Sequence, residues 1–348
     1  DAFFVAFQLP NLTRRLLAEG ALNSAFVPIY LRAREEEGEA KAGALAGAIA
    51  GALTLTLAAL AFILALAMPM LMWALAPGFA SSSERLAHAI GDARLMLPYL
   101  VAAGPLAALA GVLNANRRFA AAALAPAAFN LCLIALLLSF LLPGMGASAS
   151  LLSIGVALAG LAQLALLGFV VWMGQERAWP IRPSFAPPVR RFFKLAGPAL
   201  VASALPQLAI VAATMIVSAT PNAVSWIYYA NRLVELPLGL ASVAIGSVLV
   251  PAFAHAVRNG DRKAAGEAQS RGLELALGLS LPAAIGLIVL AEPIVRVLFE
   301  RGAFTPADTK AAAAALAALA AGLPAHVLVK VFAAVFYAHE NTATPMRA

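Results

Sequence analysis

Charge is what this sequence has least of. Only 12% of its 348 residues are Asp, Glu, Lys or Arg, against 62% hydrophobic residues, and mean hydropathy is +0.88. Soluble domains carry about 25% charged residues, so a polytopic helical membrane protein is expected. Cysteine is nearly absent too. Cys132 stands alone in an apolar run, which excludes an intrachain disulfide and reads as a small hydrophobe. The four histidines (88, 255, 326 and 339) are scattered. No Cys/His metal spacing, Walker A loop, HExxH or GxSxG occurs. Metals, other cofactors, ATP-driven transport in cis and hydrolysis are therefore not expected, and the chain does not read as an enzyme. The stretch 195–218 has no acidic residue, so no sodium site is evident there. Initiator methionine and signal peptide are missing as well. The chain opens on Asp1 inside a span-like pattern, as a fragment of a longer protein would.

What is present is long uncharged runs separated by turns. Nine spans are expected, at 2–29, 43–76, 90–113, 124–142, 151–173, 195–218, 224–254, 272–298 and 311–338, since about 20 helical residues cover a ~30 Å hydrocarbon core. Pro77-Gly78, Pro143-Gly144 and Pro221-Asn222 mark turns between them. Sorting the loops alternately puts 15 Lys and Arg on one side (30–42, 114–122, 174–194, 255–271 and 340–348) and 3 on the other (77–89, 143–150, 219–223 and 299–310). That bias places the first group in the cytoplasm. It also explains the net charge of +7 without nucleic acid as a partner. The segment 176–194 holds Pro180, Pro183, Pro187 and Pro188 and is expected to be a stiff, non-helical cytoplasmic linker. Its basic end, Arg190, Arg191 and Lys194, suits anionic lipid heads. It divides the chain into a lobe at 1–175 and another at 195–348.

The two sides of that linker resemble each other. Residues 21–28, ALNSAFVP, match 244–251, AIGSVLVP, at an offset of 223. Pro77-Gly78-Phe79 lies opposite Gly302-Ala303-Phe304, and Leu97-Pro98 opposite Leu323-Pro324, at nearly the same offset. Three matches in order argue for duplication, and parallel repeats are a recurring transporter plan with the substrate site between the halves near mid-membrane. Both repeats carry arginine there. Arg14 is about 12 residues into its span, or ~18 Å, and Arg232 about eight residues into its own, or ~12 Å. Such groups in a span usually face a cavity or a partner, and the arginine fork suits phosphate oxygens. A cavity lined by Arg14, Arg15 and Arg232 would take a phosphate or diphosphate. Local pairing competes with that reading: Arg15 with Glu19 at i+4, and Arg232 with Glu235 at i+3. Lys330 either faces the same cavity or snorkels along its stem. Glu292 with Arg296 reads as structural. The stripe Gly43, Gly47 and Gly51 reads as close helix packing.

These motifs resemble the MurJ/MviN family of lipid II flippases, within the multidrug, oligosaccharidyl-lipid and polysaccharide exporters. Residues 1–28, DAFFVAFQLPNLTRRLLAEGALNSAFVP, look like that family's second span. WIYYANRLVELPLG at 226–239 looks like its eighth. APGF at 76–79, GVLNANRRFAAAALAPAAFN at 111–130, LFERGAFT at 298–305 and KVFAAVFYAHENTATP at 330–345 also fit. The family has fourteen spans, of which this chain resembles the second to tenth. The resemblance implies two helical lobes around a central cavity in a bacterial inner membrane, rocking to carry an undecaprenyl-diphosphate-linked glycolipid for cell wall biogenesis. It implies that Arg14 and Arg232 line that cavity and that Asp1 and Glu19 matter for function. Arg15 is adjacent, and Lys330 is a further candidate. Asn231 stands where the family often has Asp. Ion or voltage coupling fits this plan. The alternatives are a flippase for another polyprenyl-linked polysaccharide, a multidrug exporter, whose cation substrates should select acidic rather than arginine-rich cavities, and a non-transporting membrane scaffold.

Overall fold

The computed structural model describes residues 1–18, 21–142, 148–174, 182–245 and 261–338. Among them are twelve α-helices, one 3-10 turn and no strand: α1 (Ala2–Ala18), α2 (Ala21–Glu37), α3 (Glu39–Leu75), the turn Pro77–Ser81, α4 (Ser83–Ala115), α5 (Phe119–Ser139), α6 (Ala149–Met173), α7 (Pro187–Val217), α8 (Ala223–Ala244), α9 (Arg262–Val289), α10 (Ala291–Phe299), α11 (Pro306–Ala321) and α12 (Leu323–Ala338).

Six described stretches are long and apolar enough to cross a membrane: Glu39–Leu75, Ser83–Ala115, Phe119–Ser139, Ala149–Met173, Lys263–Val289 and Pro306–Val329. Phe62, Leu66 and Met70 on α3, Leu131 and Leu138 on α5, and Trp172 on α6 stay exposed. In water such a continuous apolar belt would drive aggregation, whereas acyl chains solvate it. The chain is a multi-pass membrane protein.

Three expected spans are each built from two helices. The stretch 2–29 becomes α1 and the start of α2, with residues 19–20 outside the described set. The stretch 272–298 is divided at Leu290, and 311–338 at Gly322. The second and third breaks fall just before Pro293 and Pro324, which sit in the first turns of α10 and α12. Proline has no N–H for the carbonyl four residues back (Val289 and Ala320) and its ring clashes with that carbonyl, so it ends the preceding helix but is tolerated at a helix start. The same rule corrects the proline-rich linker. Residues 182–186 are not helical, but Pro187 and Pro188 begin α7, so Arg190, Arg191 and Lys194 are helical.

By packing, the chain divides into unit 1 (Asp1–Ala219) and unit 2 (Thr220–Ala348). In unit 1, α4 is the central helix, against which α1, α2, α3 and α6 all pack, with α5 on α6. Helix α7 joins this unit through α2, α3 and α1. Phe192 of α7 is fully buried and meets Phe26 of α2 edge-on, ring centroids 6.4 Å apart. Gln8 of α1 donates to Thr214 of α7. Small residues permit the close approaches. A Cβ on Gly51 of α3 would lie 2.5 Å from the Pro183 backbone nitrogen, so this glycine admits the non-helical segment before α7 and not another helix. Gly51→Val is expected to cost about 1–3 kcal/mol by overpacking and to lower the melting temperature of the solubilised protein by several degrees; an unchanged melt would contradict this contact.

The loops sorted by charge also share ends of unit 1. Arg34 donates to Asn116 at 2.7 Å, and Arg118 to the Val170 carbonyl at 3.4 Å, so the segments 30–42 and 114–122 meet the last turn of α6 at one end. The turn Pro77–Ser81 meets the end of α7, where Gly78 N–H donates to Ser218 Oγ at 3.0 Å.

Unit 2 buries Val295, Leu316, Leu323, Val327 and Val331 between α8, α9, α10, α11 and α12. Its helix boundaries repeat those of unit 1. Helix α3 begins at Glu39 and α9 at Arg262; α4 begins at Ser83 and α11 at Pro306. Each pair is 223 residues apart, the offset of the matching motifs. Packing repeats as well: α1 lies on α4 as α8 lies on α11.

Candidate functional site

Helix α1 brings Arg14 to the wall of a cavity of about 290 Å³ between α1, α4, α5 and α6 of unit 1. Tyr99, Asn114 and Gln163 supply its other polar groups, and Leu106 and Pro126 are among its apolar walls. Arg14 is half-buried, and its Nη2 donates to Asn11 Oδ1 at 3.1 Å, one turn earlier. A guanidinium has five N–H donors, and this bond helps to orient the fork. Arg15, also half-buried, follows on the next face of the helix. Asp1 is half-buried at the start of α1, where its carbonyl accepts the Val5 N–H at 3.0 Å. Glu19 lies outside the described residues, and with it the expected pairing to Arg15. The side chain of Lys330 lies outside them too; its backbone belongs to α12.

In unit 2, Arg232 has the local partner its spacing allowed. Its Nη1 pairs with Glu235 Oε2 at 2.8 Å, and its Nη2 donates to Tyr228 Oη at 3.0 Å. The guanidinium carbon sits 4.9 Å from the Tyr228 ring centroid, a cation–π contact. Asn231 donates to the other Glu235 oxygen at 2.9 Å. Asn231 therefore helps hold the acid that neutralises Arg232, and the motif is close to charge-balanced. Arg232 remains 36% exposed, with donors left over for an outside acceptor. Arg296 pairs with Glu292 at 2.5 Å and Glu300 at 3.4 Å, the structural role expected of it.

The family model described as "Lipid II flippase MurJ" matches residues 1–348. The chain belongs to the MurJ family. It is 42% identical to the probable lipid II flippase MurJ of Rhizobium meliloti over 99% of its own length, and 40% identical to that of Rhizobium tropici over 100%. It spans 65% and 66% of those two relatives, about two thirds of each. A solved structure titled "Lipid II flippase MurJ, inward closed conformation" matches with a TM-score of 0.83 at 26% identity, over 100% of this chain and 71% of that one. An inward-facing multidrug transporter of the MATE family matches at TM-score 0.76 and 15% identity, over 99% of this chain and 79% of that one. At that identity it shares the helical fold alone.

Two buried polar residues of this MurJ-family chain were not visible as candidates in its sequence. Gln163 of α6 is 2% exposed; its Nε2 donates to the Ala125 carbonyl at 2.8 Å, fixing the amide orientation. Asp92 of α4 is 2% exposed, and its Oδ2 accepts no hydrogen bond among the described residues. The first sat inside an uncharged run and the second at the edge of one. The Tyr228–Arg232 pairing did leave a signal, since the two are four residues apart on one helix face.

Proposed function

We propose that the protein carries an undecaprenyl-diphosphate-linked peptidoglycan precursor, lipid II, from the inner to the outer leaflet of the bacterial inner membrane. The observation that supports this reading is a half-buried arginine held by local hydrogen bonds in each of two helices that pack alike in the two units, Arg14 in α1 and Arg232 in α8, in a chain of the MurJ family. Each fork can take two phosphate oxygens, while the polyprenyl tail stays in the bilayer. Arg15, Asp1, Glu19 and Lys330 complete the proposed set. The role is transport and not catalysis.

The segment 176–194 joins two repeat-related lobes, and α7 leads the second in sequence. Alternating access in this scheme must break the contact of α7 with the turn Pro77–Ser81. An ion gradient or the membrane potential supplies the bias. A multidrug exporter would need acidic groups for organic cations, whereas the charged residue lining the unit 1 cavity is Arg14.

The test is reconstitution of the full-length protein in vesicles holding fluorescent lipid II in both leaflets. An impermeant quencher should reach nearly all of the label with the protein present and about half without it. An ethidium gradient in the same vesicles should be unaffected. Quenching that stays at half, or ethidium transport, would contradict the proposal.

A further inference from the structure

Unit 2 contains a pocket that the arginine chemistry does not use. It lies where loops 219–223 and 299–310 meet, the end poor in basic residues. A cavity of about 490 Å³ opens there between the start of α8, the turn after α10 and the start of α11. Small-molecule sites begin at about 300 Å³. Its walls are aromatic. Trp226 and Tyr229 come from α8, and the Tyr229 ring centroid lies 4.8 Å from that of Phe299 and 5.8 Å from that of Phe304.

Its rim is polar and held in place. Trp226 Nε1 donates to Asp308 Oδ1 at 2.8 Å, across 82 residues of chain. The Thr305 N–H and Oγ1 donate to the other oxygen of Asp308, at 2.8 and 2.6 Å, in the capping box that starts α11. Oδ1 keeps capacity for a second donor. Arg301 is exposed and donates through Nη2 to the Val297 and Leu298 carbonyls, at 3.2 and 2.6 Å, which anchors it at the end of α10. Its Nε and Nη1 have no hydrogen bond among the described residues.

The repeat shows that packing does not demand this opening. The matching turn of unit 1, Pro77-Gly78-Phe79, is sealed: Phe79 is fully buried, and a Cβ on Gly78 would lie 2.2 Å from the Ala219 nitrogen. In unit 2 Phe304 is half-buried, and a Cβ on Gly302 would meet nothing within 4 Å. The chemistry narrows the guest. Arg301 disfavours an organic cation, aromatic walls disfavour a bare phosphate, and Asp308 disfavours a lone carboxylate. A neutral ring with one apolar face and a polar edge satisfies all three.

We propose that this pocket is a carbohydrate subsite. The sugar stacks its C–H face on the aromatic wall, gives a hydroxyl or amide N–H to Asp308, and accepts from Arg301. The choice of an acetamido sugar rests on the proposed glycolipid substrate; the pocket itself does not.

The probe is N,N′-diacetylchitobiose, titrated onto the full-length protein in nanodiscs by saturation-transfer NMR. The expected result is saturable binding, weakened roughly fivefold or more in Trp226→Leu and in Arg301→Ala, with maltose binding more weakly. Arg301→Ala is the decisive variant if Trp226→Leu lowers the melt, because Arg301 is exposed. No saturable signal up to the solubility of the sugar, or equal affinity in wild type and Arg301→Ala, would overturn the subsite. The readout needs no transport. Its failure with flipping intact therefore sinks the subsite alone, and loss of flipping with sugar binding intact sinks the transport reading alone.

Discussion

Arg14→Ala is expected to slow lipid II flipping by roughly ten- to a hundredfold in reconstituted vesicles. A hydrogen bond to a charged group contributes about 1.5–3 kcal/mol, and each 1.4 kcal/mol is a factor of ten. The Arg14 fork is oriented by Asn11 and opens on a cavity whose other polar groups, Tyr99, Asn114 and Gln163, are uncharged at neutral pH. Among the described residues lining that wall, Arg14 is the one that carries a positive charge. Arg14→Lys keeps the charge but loses the planar pair of donors, so it should recover only part of the rate. Arg232→Ala should cost less in rate and more in stability. Arg232 already spends donors on Glu235 and Tyr228, and its removal takes the cationic partner from a partly buried carboxylate that Asn231 also holds. Equal rates for Arg14→Ala and wild type would remove Arg14 from the site. A larger loss at position 232 than at 14 would reverse the ranking argued from the pairing geometry.

Gly78→Val is expected to have the second large effect, at the opposite kind of place. Gly78 sits so tightly against Ser218 and Ala219 that any side chain would collide with backbone. The substituted turn has to move off the end of α7 and give up the bond from Gly78 N–H to Ser218 Oγ. Ser218 is fully buried, so the displacement can be read chemically. With the single native cysteine changed to Cys132→Ala, Ser218→Cys should resist an impermeant maleimide when Gly78 is kept. It should react at least several-fold faster with Gly78→Val. Equal reactivity in the two backgrounds would mean that the turn does not seal this end.

The helices and the duplication were legible because they rest on composition and spacing. Uncharged runs, proline and glycine turns and the charge bias of the loops needed no tertiary information, and the motif offset reappears in two pairs of helix starts 223 residues apart. The single-span readings failed where proline decides between two local outcomes. Pro293 and Pro324 restart helices instead of kinking them, and Pro187 opens α7 rather than extending the linker. Which outcome holds depends on what the preceding turn packs against. The packing of α7 on unit 1 depends on Phe192 meeting Phe26, two residues far apart in sequence. At the site, the arginines stood out because a charge in a span is costly. Gln163 and the Trp226–Asp308 link did not, because an uncharged amide carries no such penalty in a sequence and a hydrogen bond across 82 residues leaves no periodic trace.

The measurement that bears most directly on the proposed function is complementation. A bacterium depleted of its own lipid II flippase would receive the full-length protein as wild type, Arg14→Ala or Arg232→Ala, at matched membrane levels. Growth with wild type, loss of growth with Arg14→Ala and a weaker defect with Arg232→Ala is the predicted result. Lysis with well-expressed wild type would contradict lipid II as the substrate, and full growth with both variants would contradict the arginines as its phosphate clamp.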